Sequence, residues 1–138
     1  MNKMASIFTK ILNGEIPGEK VYEDEDFFAI LDIKPVNKGH VLVIPKEEYK
    51  DITEMPEELA GKYLQVAKKV GESLMKSLNC EGFNIMMNNK AAAGQIIFHA
   101  HIHVVPRFEG DGLKHWPGTE YNTLNEQKEY AEKIRKEI

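Results

Sequence analysis

Three histidines alternate with apolar residues in one short segment, and this pattern constrains the fold more than any other feature of the chain. The segment consists of His99, Ala100, His101, Ile102, His103, Val104 and Val105. Successive side chains of a β-strand point to opposite faces, so the spacing predicts a strand with all three imidazoles on one face. Three clustered imidazoles contribute little to packing, whereas each can act as nucleophile, acid, base or ligand. The segment therefore predicts a functional site on a sheet.

Size and charge place limits on the kind of protein. A chain of 138 residues is most simply one domain, with enough sequence to bury a core of its own. The net charge of −4 gives no reason to expect nucleic-acid binding. The one cysteine, Cys80, has no partner for an internal disulfide, which fits a reducing compartment. No apolar run suits a signal peptide or a membrane span, so we expect a cytoplasmic protein without membrane contact.

The first half of the chain predicts one short helix, a hairpin and a central strand. Ser6 is a helix cap for an apolar stretch that Asn13-Gly14 ends. Residues 21–23 and 27–31 resemble the two strands of a hairpin, and residues 40–44 form a nearly continuous apolar run that Pro45 ends.

The second half predicts a long helix, two more strands and a last helix. The long helix begins at Pro56. Its buried stripe is predicted to consist of Leu59, Tyr63, Val66, Val70, Leu74 and Leu78. Residues 83–88 form a strand, and the histidine strand ends at Pro106. Thr123 and Glu126 form a capping box for a C-terminal helical extension over about 123–137. Hairpin-like strands around one long helix predict an α+β fold with an antiparallel sheet.

Alternating histidines suit two kinds of chemistry. Same-face histidines can hold zinc with a further ligand, or one imidazole can attack while its neighbours orient it. Attack on phosphorus needs donors for the phosphate oxygens, and small residues leave backbone N–H groups accessible. The small-residue segment 91–95 lies just upstream, and Asn88 could supply a side-chain amide. Without the histidines beside it, segment 91–95 would be interpreted as a plain connecting loop.

The histidine segment and its flanks resemble the histidine triad (HIT) superfamily. The signature is His-φ-His-φ-His-φ-φ, where φ is apolar, and here Gly94-Gln95 precede it and Pro106-Arg107 follow it. Segments around residues 6–17, 21–24, 31–35 and 39–45 also resemble the family in the same order. The resemblance covers about residues 6–118 of a single 138-residue domain.

The resemblance implies a fold, an activity and a set of site residues. The family fold is a five-stranded antiparallel sheet with a long helix and a short N-terminal helix, and two copies usually pair into a homodimer. Members bind purine nucleotides through the AMP or GMP moiety. Many cleave phosphoramidates or dinucleoside polyphosphates at the α-phosphate through a nucleotidyl-histidine intermediate.

By position, His101 corresponds to the nucleophile, and His99 and His103 to groups that orient it and share protons. Asn88, Gly94 and Gln95 would surround the phosphate, and Asp32 would bind the ribose hydroxyls. The pocket for base and sugar would be lined by Phe8, Ile11, Leu31 and Ile33, with His40 as a supporting group.

Several of these residues have simpler interpretations. Phe8, Ile11, Leu31 and Ile33 are residue types that occupy the core of almost any fold. His40 could be a buried core histidine, and Asp32 could merely cap a turn. Trp116 resembles a C-terminal tryptophan that reaches the partner subunit's site in one branch of the family, or it covers a core edge.

The chain departs from the family pattern at the zinc site that many bacterial relatives carry. Ser6 and Thr9 stand where those relatives have cysteines, and Tyr49 stands at a histidine position. Hydroxyls are poor zinc ligands beside thiolate and imidazole, so we expect no structural zinc and no cofactor, with His99 released for the active site.

A second departure lies beside the expected phosphate site. After Gly94-Gln95 the family usually places Ser or Thr, whose hydroxyl can bond the phosphate, but here the residue is Ile96. Loss of one transition-state donor costs about 2.7–4 kcal/mol in other enzymes. Ile96 therefore leaves an alternative open, a nucleotide-binding module with vestigial catalysis. A metal protein that uses all three triad histidines is a third hypothesis.

Overall fold

The computed structural model describes residues 4–138, in which five β-strands and three α-helices are found. In chain order the elements are α1 (Ile7–Leu12), β1 (Lys20–Glu23), β2 (Phe27–Leu31), β3 (Val41–Pro45), α2 (Glu57–Leu78), β4 (Gly82–Met86), β5 (Ile102–Arg107) and α3 (Leu124–Glu137).

The strands form one sheet in the order β1-β2-β3-β5-β4, and all neighbouring pairs are antiparallel. The predicted α+β class with a five-stranded antiparallel sheet, a long helix and a short N-terminal helix is confirmed. The apolar run that predicted a central strand is β3, which pairs with both β2 and β5. This position places the histidine segment beside the middle of the sheet.

The two faces of the sheet carry separate apolar clusters. Helix α2 packs on the first face, where Ala100, Ile102 and Val104 are buried among its residues. Helix α1 covers part of the second face, and the cluster there consists of Phe8, Phe28, Ile30, Leu42 and Ile44. The apolar residues that alternate with the histidines thus point to the α2 side, and the histidine side chains point to the α1 side, as the period of two predicts.

The buried stripe of α2 agrees with the sequence prediction except at its last residue. Tyr63, Val66, Val70 and Leu74 are buried and Leu59 is partly buried against the same cluster, whereas Leu78 is 40% exposed. Leu78 lies at the C-terminal end of the helix against Gly39, where an added Cβ would be 2.4 Å from its side chain. Gly39 has φ +102°, so the turn before β3 favours glycine on backbone grounds.

The two strands nearest the site differ in length from the sequence prediction. Strand β4 ends at Met86 rather than at residue 88, and β5 begins at Ile102 rather than at His99. Pro106 does not end β5, which continues to Arg107. Strand β3 pairs with β5 no further than Val104, and the Pro106 carbonyl accepts a hydrogen bond from Asn37 instead. Proline is tolerated here because the ladder on that side has already ended.

Helix α3 begins as the capping pair predicts. The Thr123 hydroxyl accepts from the Glu126 backbone N–H at 3.0 Å, and the Glu126 carboxylate in turn accepts from the backbone N–H of Asn122. The helix buries none of its residues. Between residues 4 and 138 there is no helix whose length and apolar character would suit a membrane crossing.

Candidate active site

A cavity of about 470 Å³ opens on the second face of the sheet, between α1, the end of β2 and the loop before the histidine segment. The structure brings nine of the predicted site residues to its walls: Phe8, Ile11, Leu31, Asp32, Ile33, Asn88, Gly94, His101 and His103. Four others, His40, Gln95, His99 and Trp116, are not among the residues that line it. Most of the residues that the sequence assigned to the site therefore lie around one cavity. The positions of the other four are described below.

A hydrogen bond to the backbone determines which nitrogen of His101 carries the proton. Its Nδ1 lies 2.8 Å from the backbone carbonyl oxygen of His99. A carbonyl can only accept, so Nδ1 carries the proton, and in the neutral ring Nε2 carries the lone pair. Burial lowers the pKa of His101, which favours the neutral ring near pH 7. The local backbone thus leaves a lone pair on Nε2 of His101, which is the form of the ring that can act as a nucleophile.

A chain of hydrogen bonds sets the proton on His103. The backbone N–H of Val36 donates to Nδ1 of His40 at 3.1 Å, so the proton of the neutral His40 ring is on Nε2. His40 Nε2 lies 2.9 Å from Nδ1 of His103 and therefore donates to it. The proton of His103 is consequently on its own Nε2. The pair of rings at the cavity wall then offers one lone pair, on His101, and one N–H donor, on His103.

The pKa values support neutral rings throughout this chain. Burial, together with the neighbouring His101 and His40 rings, lowers the pKa of His103 to about 4, against the opposing effect of the Asp32 carboxylate. Burial also lowers the pKa of His40, while the carboxylate of Asp32 acts in the opposite direction. Desolvation outweighs the nearby carboxylate because each ring loses water on most of its surface.

Asp32, His40 and His103 place potential metal ligands close together, since one ligand atom from each lies within 4.8 Å of the others. The hydrogen bonds do not fit a metal ion. His40 already accepts the Val36 N–H at Nδ1, so Nε2 must keep its proton and has no lone pair to give. The arrangement is better described as a proton-ordering chain with a carboxylate 3.7 Å away.

His99 is fully buried and its ring does not point into the cavity. Its Nε2 donates to the carbonyl oxygen of Pro45 at 2.7 Å, and its Nδ1 contacts the Ser6 hydroxyl. The ring also packs edge-on against Phe8, with 5.6 Å between centroids. The expectation that His99 is released for the active site is therefore wrong for its imidazole, because Ser6 and Pro45 engage both nitrogens. Its contribution to the site is the carbonyl that accepts from His101.

The loop between β4 and the histidine segment closes one side of the cavity. Asn88 and Gly94 lie on the cavity wall. Gly94 has φ +94°, and an added Cβ would come within 3.5 Å of the Asn88 amide. Gln95 is buried behind the loop, where its amide accepts from the Lys90 N–H at 2.7 Å and donates to the Lys50 and Ile97 carbonyls. Gln95 thus shapes the loop, and the structure does not bring its side chain to the cavity.

The opposite wall is apolar. Phe8 is buried, with its ring centroid 5.0 Å from that of His101, whereas Ile33 is 87% exposed at the mouth. The sequence did not single out the further lining residues Ile7, Ile16, Pro17, Gly18, Ile30, Lys34, Leu42 and Ile97. Ile16 and Pro17 belong to a segment that resembles the family, and this resemblance is the sequence feature that could have placed them at the cavity.

Ile96, which departs from the family pattern, and Trp116, which has two interpretations, are both largely exposed to solvent. Ile96 lines the cavity and is 86% exposed, so its side chain covers no core. Trp116 is also 86% exposed, which is inconsistent with the interpretation that it covers a core edge of this chain. It lines a second cavity, of about 470 Å³, which shares Asn88 with the first.

The residues at the family's zinc position do not fit zinc. Ser6 and Thr9 offer hydroxyl oxygens, which bind zinc poorly. The Thr9 hydroxyl donates to Glu48 at 2.7 Å, and the Ser6 hydroxyl contacts His99. The groups therefore satisfy one another by hydrogen bonds.

Comparison with known proteins identifies relatives over most of the chain. An uncharacterized HIT-like protein of Methanocaldococcus jannaschii is 50% identical over 106 residues, which are 77% of this chain and 81% of that protein. A Candida albicans protein named adenosine 5'-monophosphoramidase is 34% identical over 140 aligned residues, which cover 96% of this chain and 90% of that protein.

Solved structures show the same fold. A Streptococcus mutans protein superposes with a TM-score of 0.91 at 41% identity, covering 99% of this chain and 87% of that one. A zinc-bound histidine triad family protein of Mycobacterium smegmatis gives a TM-score of 0.76 at 38% identity, covering 84% of each chain. The HIT domain family model matches residues 13–110, which contain the histidine segment and most of the cavity wall. A chain with this fold, this cavity and these relatives belongs to the HIT family.

Proposed function

We propose that this protein is a purine nucleotide hydrolase or nucleotidyl transferase that acts at the α-phosphate through a covalent intermediate on His101. The observation that carries the proposal is the tautomer of His101, whose Nδ1–H donates to the His99 carbonyl and leaves Nε2 as a nucleophile beside the cavity. A HIT relative named as a phosphoramidase supports the same class of reaction.

The cavity offers separate regions for the parts of a nucleotide. Its apolar wall, with Phe8, Ile11, Leu31 and Ile33, suits the purine ring and the sugar of an AMP or GMP moiety. Asp32 lies between this wall and the histidines, and one of its carboxylate oxygens accepts the Lys34 N–H at 2.9 Å. The other oxygen is 3.7 Å from His40, and in the proposed complex it would accept a hydrogen bond from a ribose hydroxyl.

The phosphate would lie between the loop and the two cavity-facing histidines. Asn88 and Gly94 form the loop side of this position, and Gln95 holds the loop in place from behind. His103 Nε2–H is a donor for a phosphate oxygen or for the leaving atom. Neutral donors fixed before the substrate binds stabilise developing negative charge without reorganisation.

The reaction proceeds in two displacements at phosphorus. His101 Nε2 forms a bond to the α-phosphorus while the bond to the leaving nitrogen or oxygen breaks, and its electron pair goes to that atom. A leaving amine takes one proton from solvent, and His103 Nε2–H donates a hydrogen bond to it. Water then attacks phosphorus and gives one proton to solvent, and the electron pair of the Nε2–phosphorus bond returns to His101. The products are the nucleoside monophosphate and the free leaving group.

The test is release of AMP from adenosine 5′-phosphoramidate, with a diadenosine polyphosphate as a second substrate. We expect turnover of at least one substrate by the wild-type chain. The reaction is quenched rapidly at alkaline pH, and the protein is digested without exposure to acid. A nucleotidyl group should then be found on the peptide that contains His101. His101→Ala should show neither turnover nor label. Full turnover by His101→Ala would refute the covalent mechanism.

A second candidate function is a nucleotide-binding module with vestigial catalysis, and Ile96 favours it. Ile96 occupies an exposed position on the cavity wall where a hydroxyl would be available to a phosphate in relatives. This candidate predicts measurable AMP or GMP affinity without turnover. Ile96→Ser should then gain activity, by as much as about 10²–10³-fold if one transition-state donor is restored. Ile96→Val is the matched control, since it changes size without adding a donor.

We also propose that two copies associate through β4. This strand lies at one edge of the sheet, and its residues Ile85 and Met86 are 40% and 38% exposed. An edge strand has unpaired backbone groups that a second copy can satisfy by pairing. Light scattering after size-exclusion chromatography should give twice the mass of one chain. Ile85→Lys, which places a charge on that edge, should shift the mass toward one chain.

A further inference from the structure

A small polar cluster outside the cavity joins α1 to the histidine segment. It consists of Ser6, Thr9, Glu48 and His99, and we call it the clamp cluster. We infer that the clamp cluster replaces the family's zinc ion by hydrogen bonds, and that Ser6, Thr9 and Glu48 are positioning residues that fix His101 through His99. The positioning role rests on the proposed function of His101, which assigns no role to Ser6, Thr9 or Glu48.

The geometry of the cluster brings four polar atoms together. The Ser6 hydroxyl oxygen contacts Nδ1 of His99 and lies 3.4 Å from the Thr9 hydroxyl oxygen. The Thr9 hydroxyl is in turn 2.7 Å from Glu48 Oε1. Ligand atoms around a tetrahedral zinc ion are about 3.5 Å apart, as follows from zinc–ligand distances near 2.0–2.3 Å. The 3.4 Å between the two hydroxyl oxygens matches this spacing, whereas the Ser6–His99 and Thr9–Glu48 contacts are shorter and are hydrogen bonds. The cluster is therefore a hydrogen-bond network at the position where relatives hold zinc.

Each hydrogen in the network has an assigned direction. His99 Nε2 must donate to the Pro45 carbonyl, so Nδ1 of the neutral ring accepts from the Ser6 hydroxyl. The Ser6 oxygen accepts the Thr9 backbone N–H at 3.1 Å. Glu48 Oε1 accepts both the Ser6 backbone N–H, at 2.6 Å, and the Thr9 hydroxyl. These hydrogen bonds to a carboxylate are charge-assisted and stronger than neutral ones.

The network connects three segments that are distant in the sequence. Ser6 and Thr9 hold the start of α1, Glu48 follows β3, and His99 begins the histidine segment, 93 residues after Ser6. With both ring nitrogens engaged, His99 cannot rotate without breaking a bond. Its backbone carbonyl is the acceptor that fixes the His101 tautomer. The same peptide unit is held from its other end by the Ala100 N–H, which donates to the Tyr49 carbonyl at 2.8 Å. The cluster therefore contributes, through the His99 ring, to holding the acceptor of the His101 N–H.

The same cluster also sets the apolar wall. Phe8 lies between Ser6 and Thr9 on α1 and contacts the rings of both His99 and His101, with centroid separations of 5.6 and 5.0 Å. A shift of α1 would move this ring against the nucleophile. In other enzymes a misplacement of about 1 Å costs about 100-fold in rate, so the clamp cluster should affect turnover although it does not touch the cavity.

The first experiment compares Glu48→Ala with Glu81→Ala. Glu81 is the matched control because its carboxylate also accepts a backbone N–H, that of Glu109 at 2.6 Å, on the other side of the molecule. The readout is the nitrogen-15 chemical shifts of the His101 ring, which report the tautomer without any substrate. We expect Glu81→Ala to retain the Nδ1–H form, and Glu48→Ala to lose a measurable fraction of it. Identical spectra for the two variants would overturn the positioning role.

Kinetics provide a second readout. If either proposed substrate is turned over, Glu48→Ala and Thr9→Val should lower kcat by about 10- to 100-fold. The Ser6→Thr variant retains the hydroxyl and should rescue most of the loss seen in Ser6→Ala. Equal losses in Ser6→Ala and Ser6→Thr would show that the hydroxyl is not the element that matters. Failure of the proposed activity would remove this readout but leave the tautomer measurement intact.

The second experiment tests the replacement of zinc directly. The wild-type chain, purified without chelator and supplied with zinc, should retain only substoichiometric metal after desalting. The double variant S6C/T9C turns the cluster into two thiolates, one imidazole and one carboxylate, and should retain about one zinc per chain. Stoichiometric zinc in the wild type would overturn the inference. Absence of zinc in a folded S6C/T9C chain would show that the four groups do not converge as described.

Discussion

The first two histidines of the histidine segment show how much the role of a side chain depends on its partners. His99 and His101 are two residues apart, point to the same side and come from the same sequence signature. His99 is fully buried between Ser6 and the Pro45 carbonyl, whereas His101 keeps one nitrogen at the cavity. One ring thus stabilises the structure, and the other can react. The comparison teaches that a repeated motif need not confer a repeated function.

The largest expected effect separates these two rings by activity. His101→Ala should lower turnover by about 10⁴- to 10⁶-fold, as loss of a covalent nucleophile does in other enzymes. Its effect on the free energy of unfolding should be small, because the ring is only partly buried. Steady-state kinetics with adenosine 5′-phosphoramidate and urea unfolding measure the two quantities. A His101→Ala variant that loses stability and keeps its activity would contradict the assignment of a chemical role to His101 and a structural role to His99.

The next effect separates the rings by stability. His99→Ala removes a buried ring and leaves the Ser6 hydroxyl and the Pro45 carbonyl without their partner. We expect a loss of about 2–4 kcal/mol in the free energy of unfolding. His115→Ala, at an exposed position, is the control and should change stability by less than about 0.5 kcal/mol. Urea unfolding followed by circular dichroism measures the free energy of unfolding of both variants. If His99→Ala is as stable as the wild type, the contacts of the His99 ring are dispensable.

A smaller effect concerns the second cavity-facing ring. His40→Ala removes the donor to His103 and leaves the Val36 N–H without an acceptor, so the proton of His103 is no longer fixed on Nε2. We expect kcat to fall by about 10- to 100-fold with a smaller change in KM. Nitrogen-15 shifts of His103 should show a mixture of tautomers. An unchanged His103 spectrum would mean that another group sets its proton.

The smallest effect is a dependence of stability on pH. Burial and the neighbouring His101 and His40 rings lower the pKa of His103 from its ordinary value of 6.5 to about 4, so the unfolded chain binds more protons than the folded chain between these values. Stability should therefore fall as the pH is lowered through this range, and His40 and His101 act in the same direction. Thermal unfolding at pH 7 and pH 5 measures it. His103→Asn should flatten the slope, and an unchanged slope would assign it to other groups.

Turnover should also depend on pH, through the protonation state of His101. His101 must be neutral to attack, and burial lowers its pKa below the ordinary value of 6.5. Turnover should then persist to a lower pH than a free imidazole nucleophile would allow and fall only below that pKa. A pH profile of kcat/KM that falls already near pH 6.5 would contradict the burial of His101 in the free protein.

Much of the fold and site could be predicted from local sequence. The period of two correctly placed Ala100, Ile102 and Val104 in the core, and the Ser6 and Thr123 caps begin their helices as predicted. The prediction was wrong at Leu78, at Pro106 and for the ring of His99. Leu78 is the last residue of α2 and is 40% exposed there. At the other two positions the outcome depends on a distant segment: the end of β3 for Pro106, and Ser6 and Pro45 for His99.

The sequence by itself determined the α+β class, the family and the residue types available for chemistry. These follow from periodicity and from a motif, both of which are local. Only the tertiary structure decided which ring lies on the cavity wall, where the proton lies on His40 and His103, and which groups surround the His99 ring. The physical reason is that protonation and orientation depend on hydrogen-bond partners. The partners of His99, Ser6 and Pro45, lie 93 and 54 residues away along the chain.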